Sequence, residues 1–391
     1  MDMKQIHELA NGITTELLGE SAVVNEDLSN VVDMGKTIFD NVSFDKYVKT
    51  LPDHIGRVKF VDRVYEGTTN ALLRDDWEYG ATLEKVYSTS LPEAEENESY
   101  ELVHGASYDP NVFKKPDVAA KFYNKYTTFE VDQSFADRQV KSAWSNATQL
   151  NSFFSMLTND VDKSLTLKIE GLADRCITNM IAQTFQSDFP SVSNNNYSGM
   201  TGNKAVNLLY IYNQTFTKSL TAAGALYDPD FIRFATVMIT RYNDRLTKMS
   251  TLFNAGGLAR FTPKNLQHVI LHADFATCAN AYLQSDTFHD EFTRLPKADT
   301  VPYWQGSGLD YAFTSTSAVK AVIDIGSGTK EIQVSGVLGV IFDHEACGIT
   351  KFNRRTTTEY NSKAEFTNYF HKVEAGYFND LNENFVLFYI A

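Results

Sequence analysis

Cysteine is nearly missing from this chain. Cys176, Cys278 and Cys347 are the three among 391 residues. The count is odd, the spacing fits no framework and no Cys-x-x-Cys occurs, which excludes a disulfide scaffold and a zinc ribbon. Cys176 and Cys278 fall in apolar, helix-like surroundings and read as small buried hydrophobes. The N-terminus, MDMKQIHELANG, has no basic region followed by an apolar run, so the signal-peptide pattern is absent. No apolar stretch reaches the ~18 residues that a spanning helix needs. These absences predict a chain made and used in a cytosol. Runs of Lys or Arg stop at two, as in Lys114-Lys115 and Arg354-Arg355. The basic stripe of a dedicated nucleic-acid binder is therefore lacking.

Catalytic patterns are lacking too. Gly326-Ser-Gly-Thr-Lys330 has neither the four-residue spacer nor the Gly-Lys-Ser/Thr ending of a phosphate loop, and it lies between two strand patterns, so it reads as a hairpin turn. His344-Glu345-Ala346-Cys347 is not followed by the second His of a zinc motif; it reads as a turn after a buried strand, with His344 exposed. Nothing around Cys347 resembles a nucleophile elbow. No catalytic, cofactor-binding or metal-binding residue is assigned.

What the chain does have is aromatic and acidic. It carries 27 Phe, 20 Tyr and 3 Trp, and its 35 basic against 49 acidic residues give a net charge of −14. Large aromatic side chains serve cores and contact surfaces alike, and a modestly acidic wall repels phosphate rather than trapping it. Its longest periodic feature runs from Asn146 to Phe185. Leu150, Phe153, Phe154, Leu157, Val161, Leu165, Ile169, Leu172, Cys176, Met180 and Ile181 recur in steps of three and four, with no Pro and one Gly, Gly171. At 1.5 Å per residue this predicts a rod of about 60 Å, long enough to need neighbours to lie against.

Around that rod the pattern predicts an arm at 1–60 with two weak amphipathic helices. Over 61–130, strand-like pieces (Val64-Tyr65, Leu83–Tyr87) separated by Gly and acidic turns predict a long β-hairpin with a polar tip at Pro92–Glu98, followed by a strand at Phe122–Val131. Helices are expected over Lys204–Ala223 and from Asp228-Pro229 to a stop at Asn254-Ala255-Gly256-Gly257. A buried strand His268–His272 feeds a helix Asp274–Leu283, Leu295–Gly308 reads as loop, and strands follow at Val319–Ile325, Glu331–Phe342, Phe366–Val373 and Asn384–Ala391. The fold class is α+β.

The order of arm, two-stranded loop, very long helix, α/β insertion and β-rich end resembles the major capsid proteins of tailed bacteriophages, which share the Hong Kong 97-type fold. Trp77-Glu78-Tyr79-Gly80-Ala81, Lys85-Val86-Tyr87 and Leu91-Pro92-Glu93-Ala94 look like the extended loop of one branch. Leu271–Phe275 looks like the strand-to-helix junction of its axial domain, and Asn368–Val373 with Phe378–Phe385 resemble its peripheral strands. The resemblance implies an N-terminal arm at 1–60, an extended loop at 61–130, a peripheral domain at 131–199 with the spine helix 146–185, an axial domain at 200–335 and C-terminal peripheral strands at 336–391. It implies homo-oligomers, hexamers and pentamers closing an icosahedral shell around double-stranded DNA without sequence-specific binding or a membrane. Scaffolding and portal proteins, and cement or decoration proteins, are the implied partners, with assembly in the host cytoplasm. Because only residues 1–60 precede the loop, a separate scaffolding protein, no cleaved scaffold domain and a non-covalent shell are expected. Inter-subunit contact is expected at Trp77, Tyr79, Lys85, Tyr87, Glu93, Glu95 and Glu96. The rival readings are an encapsulin-like compartment, a tail-tube subunit, and last an enzyme of unknown class.

Overall fold

The computed structural model describes residues 72–74, 82–94, 96, 104–105, 107, 111, 113–136, 147–284, 295–305 and 317–391, without the side chains of 73–74, 147–154 and 283–284. The arm, Trp77, Tyr79, Glu95 and the Val64-Tyr65 strand lie outside these residues. In chain order the strands and helices begin with β1 (Leu73–Arg74), β2 (Leu83–Ser88), β3 (Val118–Tyr123), β4 (Tyr126–Ala136), α1 (Ala147–Asp188), β5 (Ala205–Asn207), α2 (Leu208–Phe216), α3 (Ala222–Ala225) and α4 (Pro229–Arg245). They continue with β6 (Gln267–His272), α5 (Ala273–Gln284), β7 (Asp299–Val301), β8 (Val319–Asp324), β9 (Thr329–Val334), β10 (Val337–Asp343), β11 (Cys347–Asn361), β12 (Phe366–Asn379) and β13 (Phe385–Tyr389). The mixed α and β content agrees with the α+β reading.

Contacts divide the chain into two units. The first comprises Met1–Tyr65, Val131–Ser164 and Thr356–His371; the second comprises Glu66–Glu130, Leu165–Arg355 and Lys372–Ala391. In the first unit Ser134 Oγ donates to Asn368 Oδ1 at 2.6 Å, and the Phe135 and Tyr369 rings meet edge-on at 5.4 Å. A four-stranded sheet has the order β1-β11-β12-β4.

The second unit has a five-stranded sheet, β5-β13-β10-β6-β7, at its centre. Strands β10 and β13 are buried along their whole length, so side chains alternate between two cores. Val337, Val340 and Phe342 of β10 join Phe385, Leu387 and Tyr389 of β13 on one face, against Leu172, Cys176, Ile177, Met180, Ile181 and Phe185 of α1. Leu338, Ile341, Val386 and Phe388 turn to the other face, against Leu209, Tyr212, Phe231, Ile239 and Tyr242 of α2 and α4.

The long helix is present, at 42 residues. Val161, Leu165, Ile169, Leu172, Cys176, Met180 and Ile181 of the expected stripe are all buried. Its C-terminus is tied down by Asp188, whose carboxylate accepts from Lys204 N and Ala205 N at 2.8 Å each and pairs with Lys204 Nζ at 2.7 Å.

Several local expectations are corrected. Lys204–Ala223 is not one helix. Ala205–Asn207 adds to β13 as a parallel strand, Asn207 then caps α2 by accepting from Tyr210 N at 3.1 Å, and Thr217 in the left-handed region stops it. Helix α4 starts at Asp228-Pro229 as expected, with Asp228 accepting from Phe231 N at 2.9 Å. It ends at Arg245, not at Asn254, whose side chain instead closes a loop by bonding Leu258 N and O. The expected loop 295–308 contributes β7, parallel to β6. The run 331–342 is broken at Gly336 (φ 77°) into β9 and β10. The chain turns at Asn124-Lys125, so the Phe122–Val131 run is divided between β3 and β4. Strand β11 went unrecognised because its outer half exposes both faces and shows no alternation. Strands β10 and β13 pair with each other and with β6 and β5 from the 200–335 segment.

Candidate functional site: an anchored two-stranded ribbon

Among the described residues, strands β2 and β3 pair only with each other, in the register Leu83↔Tyr123, Lys85↔Lys121, Tyr87↔Ala119 on one face and Glu84↔Phe122, Val86↔Ala120, Ser88↔Val118 on the other. The first face is half-buried and the second exposed. Two lysines directly opposite each other repel unless an anion stands between them. Asp380 supplies it. Its buried carboxylate lies 3.2 Å from Lys121 Nζ and 3.9 Å from Lys85 Nζ. Lys85 also donates to the Glu345 carbonyl at 2.7 Å, meets the Glu345 carboxylate at 2.9 Å, and sits 4.3 Å over the Phe378 ring. Around this pair, Tyr123 packs on Phe378 with centroids 5.6 Å apart, and Arg260 lies 5.8 Å over Tyr87 while its Nε bonds Glu383 at 3.2 Å.

Burial shapes the acid–base behaviour of this base. It pushes the Tyr123 phenol well above its ordinary range, and the Asp380 charge adds to the effect. Burial also raises the Glu383 carboxyl, opposed by Arg260 and reinforced by Asp343 and Asp380. Asp343 itself accepts from Thr262 Oγ1 at 2.6 Å and Glu345 N at 2.8 Å.

The outward face carries Glu84 and Ser88 but also three large apolar side chains. Val86, Val118 and Phe122 are 64%, 59% and 62% exposed, and Leu91 and Phe113 on the connecting segment are exposed as well. Of the residues marked by sequence, Lys85 and Tyr87 thus face their own chain, whereas Glu93 and Glu96 are exposed beyond the end of β2. Sequence reasoning missed Lys121, Asp380, Glu345 and Phe378. The signal for the first two was the lysine pair itself, which demands a counter-ion once the strands are in register.

Two other expectations change. Cys278 is half-buried rather than buried, its thiol pushed up by burial and by Asp274. His344 is half-buried, with Nδ1 2.9 Å from His268 Nε2. Among the described residues, no group of three His, Cys, Asp or Glu side chains is placed to hold a metal, and no helix is long and apolar enough to cross a membrane.

A family model of Phi29-like phage major capsid proteins matches residues 10–389. The chain belongs to that family. A curated relative, the major capsid protein of Bacillus phage GA-1, is 23% identical over 172 residues, covering 39% of this chain and 34% of that protein. The matched region thus spans about a third of the length of that relative. By structure the capsid protein is similar to a chain from the capsid of Staphylococcus phage Andhra, with a TM-score of 0.51 and 9% identity over 86% of this chain and 87% of that one. It is also similar to a chain from a structure of the head fiber and inner core protein gp22 of native bacteriophage P68, with a TM-score of 0.55 and 8% identity over 86% and 88%. At such identities the likeness is one of fold. The family is structural, and virion shell protein is the role its name carries.

Proposed function

We propose that copies of this capsid protein assemble as hexamers and pentamers into an icosahedral head that encloses double-stranded DNA, on the Hong Kong 97-type plan. The family match across 10–389 carries the reading. In it, 1–60 is the arm, 61–130 the extended loop, 131–199 the peripheral domain with its spine helix, 200–335 the axial domain and 336–391 peripheral strands, with β10 and β13 completing the axial sheet. The ribbon's exposed apolar face supports a contact role. Three large apolar side chains left in water on one face of two strands are covered at low cost by a neighbouring copy. The charged face holds the ribbon to its own subunit, so contact with the neighbour falls on Val86, Val118 and Phe122, together with the Trp77, Tyr79, Glu93, Glu95 and Glu96 region, rather than on Lys85. Many modest contacts suffice, because a closed shell multiplies them. Scaffolding and portal proteins would direct assembly in the host cytoplasm.

Co-expression with the neighbouring phage genes followed by negative-stain microscopy tests this. Hollow icosahedral particles are expected. Soluble monomers under all conditions, or open tubes alone, would overturn it.

A further inference from the structure

Away from the ribbon, the second unit holds a cavity of about 410 Å³ lined by Gly171, Asp174, Arg175, Thr178 and Asn179 of α1, by Gln305, and by Lys320, Ala321 and Val322 of β8. Asp174 is 9% exposed and, among the described residues, has no hydrogen-bond or ion-pair partner. A mostly buried carboxyl at a cavity wall with no partner of its own is rare, and a ligand would give it a use. We propose that this cavity is a receptor for an alkylammonium or guanidinium group, carried on a Lys or Arg side chain of a second copy of this chain or on a free polyamine.

The groups facing Asp174 set the sign. Glu170, one turn earlier on α1, adds negative charge, and both carboxylates also act on Tyr303. From β8, Lys320 directs its ammonium to Glu331 of β9, Nζ to Oε1 3.2 Å. Arg175 stands exposed at the rim. A positive donor entering beside Asp174 would find an acceptor no described residue uses. The neighbouring Gly171, Ala321 and Val322 leave apolar wall for a methylene stem, and the volume suits a small organic group. A bare calcium ion fits poorly, since it asks for six to eight oxygens and the Gln305 amide oxygen already accepts from Lys320 N at 2.6 Å. Burial and Glu170 together lift Asp174 to about 8, so at neutral pH the carboxyl holds a proton that an incoming cation must displace.

Titration calorimetry of the purified full chain with putrescine provides the test. Saturable binding is expected, its affinity rising about tenfold per pH unit from pH 6 and levelling near pH 8, with proton uptake by the buffer. Asp174→Asn, which keeps the shape, should weaken binding at pH 8 at least about tenfold and abolish the pH slope, and Glu170→Gln should weaken it less. Absence of saturable putrescine binding, equal binding by Asp174→Asn, or calcium binding in its place would each overturn the proposal. Assembled particles separate the sources. If a second copy supplies the cation, particles no longer take up putrescine; if a free polyamine does, particles and subunits bind alike. Because the calorimetry uses unassembled chain, its failure is distinct from failure of the shell reading.

Discussion

Asp380 illustrates how one carboxylate can decide a local arrangement. It is 2% exposed and serves two lysines from a ribbon far away in sequence, through Lys121 at 3.2 Å and Lys85 at 3.9 Å. Removing it leaves two cations facing each other over apolar surface. Asp380→Ala should destabilise the chain by about 2–3 kcal/mol, at the low end for a buried pair because the lysines are partly solvated; the urea midpoint reads this directly. Asp174 makes the opposite kind of contribution. Its carboxyl rises from an ordinary 3.8 to about 8 in the fold, so the folded chain binds a proton that the unfolded chain has released. The contribution of Asp174 to stability is therefore full below about pH 4, declines as pH rises through the interval and levels above about pH 8. The loss is on the order of 3–5 kcal/mol by linkage. Asp174→Asn should flatten that decline in thermal melts taken from pH 4 to 9, and an unchanged slope would show the carboxyl to be solvated. Cys176 is also more engaged than a small hydrophobe need be. Its Sγ lies 2.6 Å from Asn379 Oδ1, and Asn379 Nδ2 returns a bond to the Cys176 carbonyl at 3.2 Å, a link between α1 and β12 that no local pattern announces.

At the scale of elements, two glycines with nearly the same φ but different surroundings separate conformation from space. Gly326 (φ 79°) turns the β8–β9 hairpin with open space where a Cβ would project; Gly336 (φ 77°) lets β9 run into β10 with the Ile390 carbonyl in that position. Ala at 326 should cost about 1 kcal/mol, the left-handed penalty alone. At 336 the clash adds to it, for a total of about 3 kcal/mol or more. Equal melting shifts for the two variants would mean the β13 end yields freely. The elements most readable from sequence were those with one buried face and strong signals at their ends. The long helix α1 kept its stripe over Val161–Ile181, and α4 began where Asp228-Pro229 said it would. Those misread depended on pairing with remote strands. Ala205–Asn207 is a strand because β13 lies beside it, and β11 continues for 15 residues although its polar outer half has no alternation of its own.

For the molecule as a whole, the proposed assembly gives the two faces of the ribbon different roles, one within the subunit and one between subunits. Charged substitutions at Val86 and Phe122 should leave the urea stability of the unassembled chain within about 0.5 kcal/mol, as exposed sites allow, yet sharply reduce the yield of particles in negative stain. Normal particles in normal yield would remove the ribbon's outer face from the assembly. The tip, with Glu93 and Glu96 exposed, should respond in the same assay: exchange of both for Lys is expected to lower yield or change particle type.

The sequence by itself indicated the class and, by resemblance, the role: a mixed α and β chain with a long helix over 146–185, seen at Ala147–Asp188, and the element order of a phage shell protein. The helix and the mixed class are written in period and composition, which act along the chain and survive without knowledge of what lies opposite, whereas the role rested on resemblance to a known family. Only the tertiary structure decided which strands share a sheet, which face of the ribbon is spent on Asp380 and which is left exposed, and that Asp174 is mostly buried without a counter-ion among the described residues. Each of these depends on charges and backbone edges brought together from distant positions, where a single residue's meaning is set by the neighbour it meets.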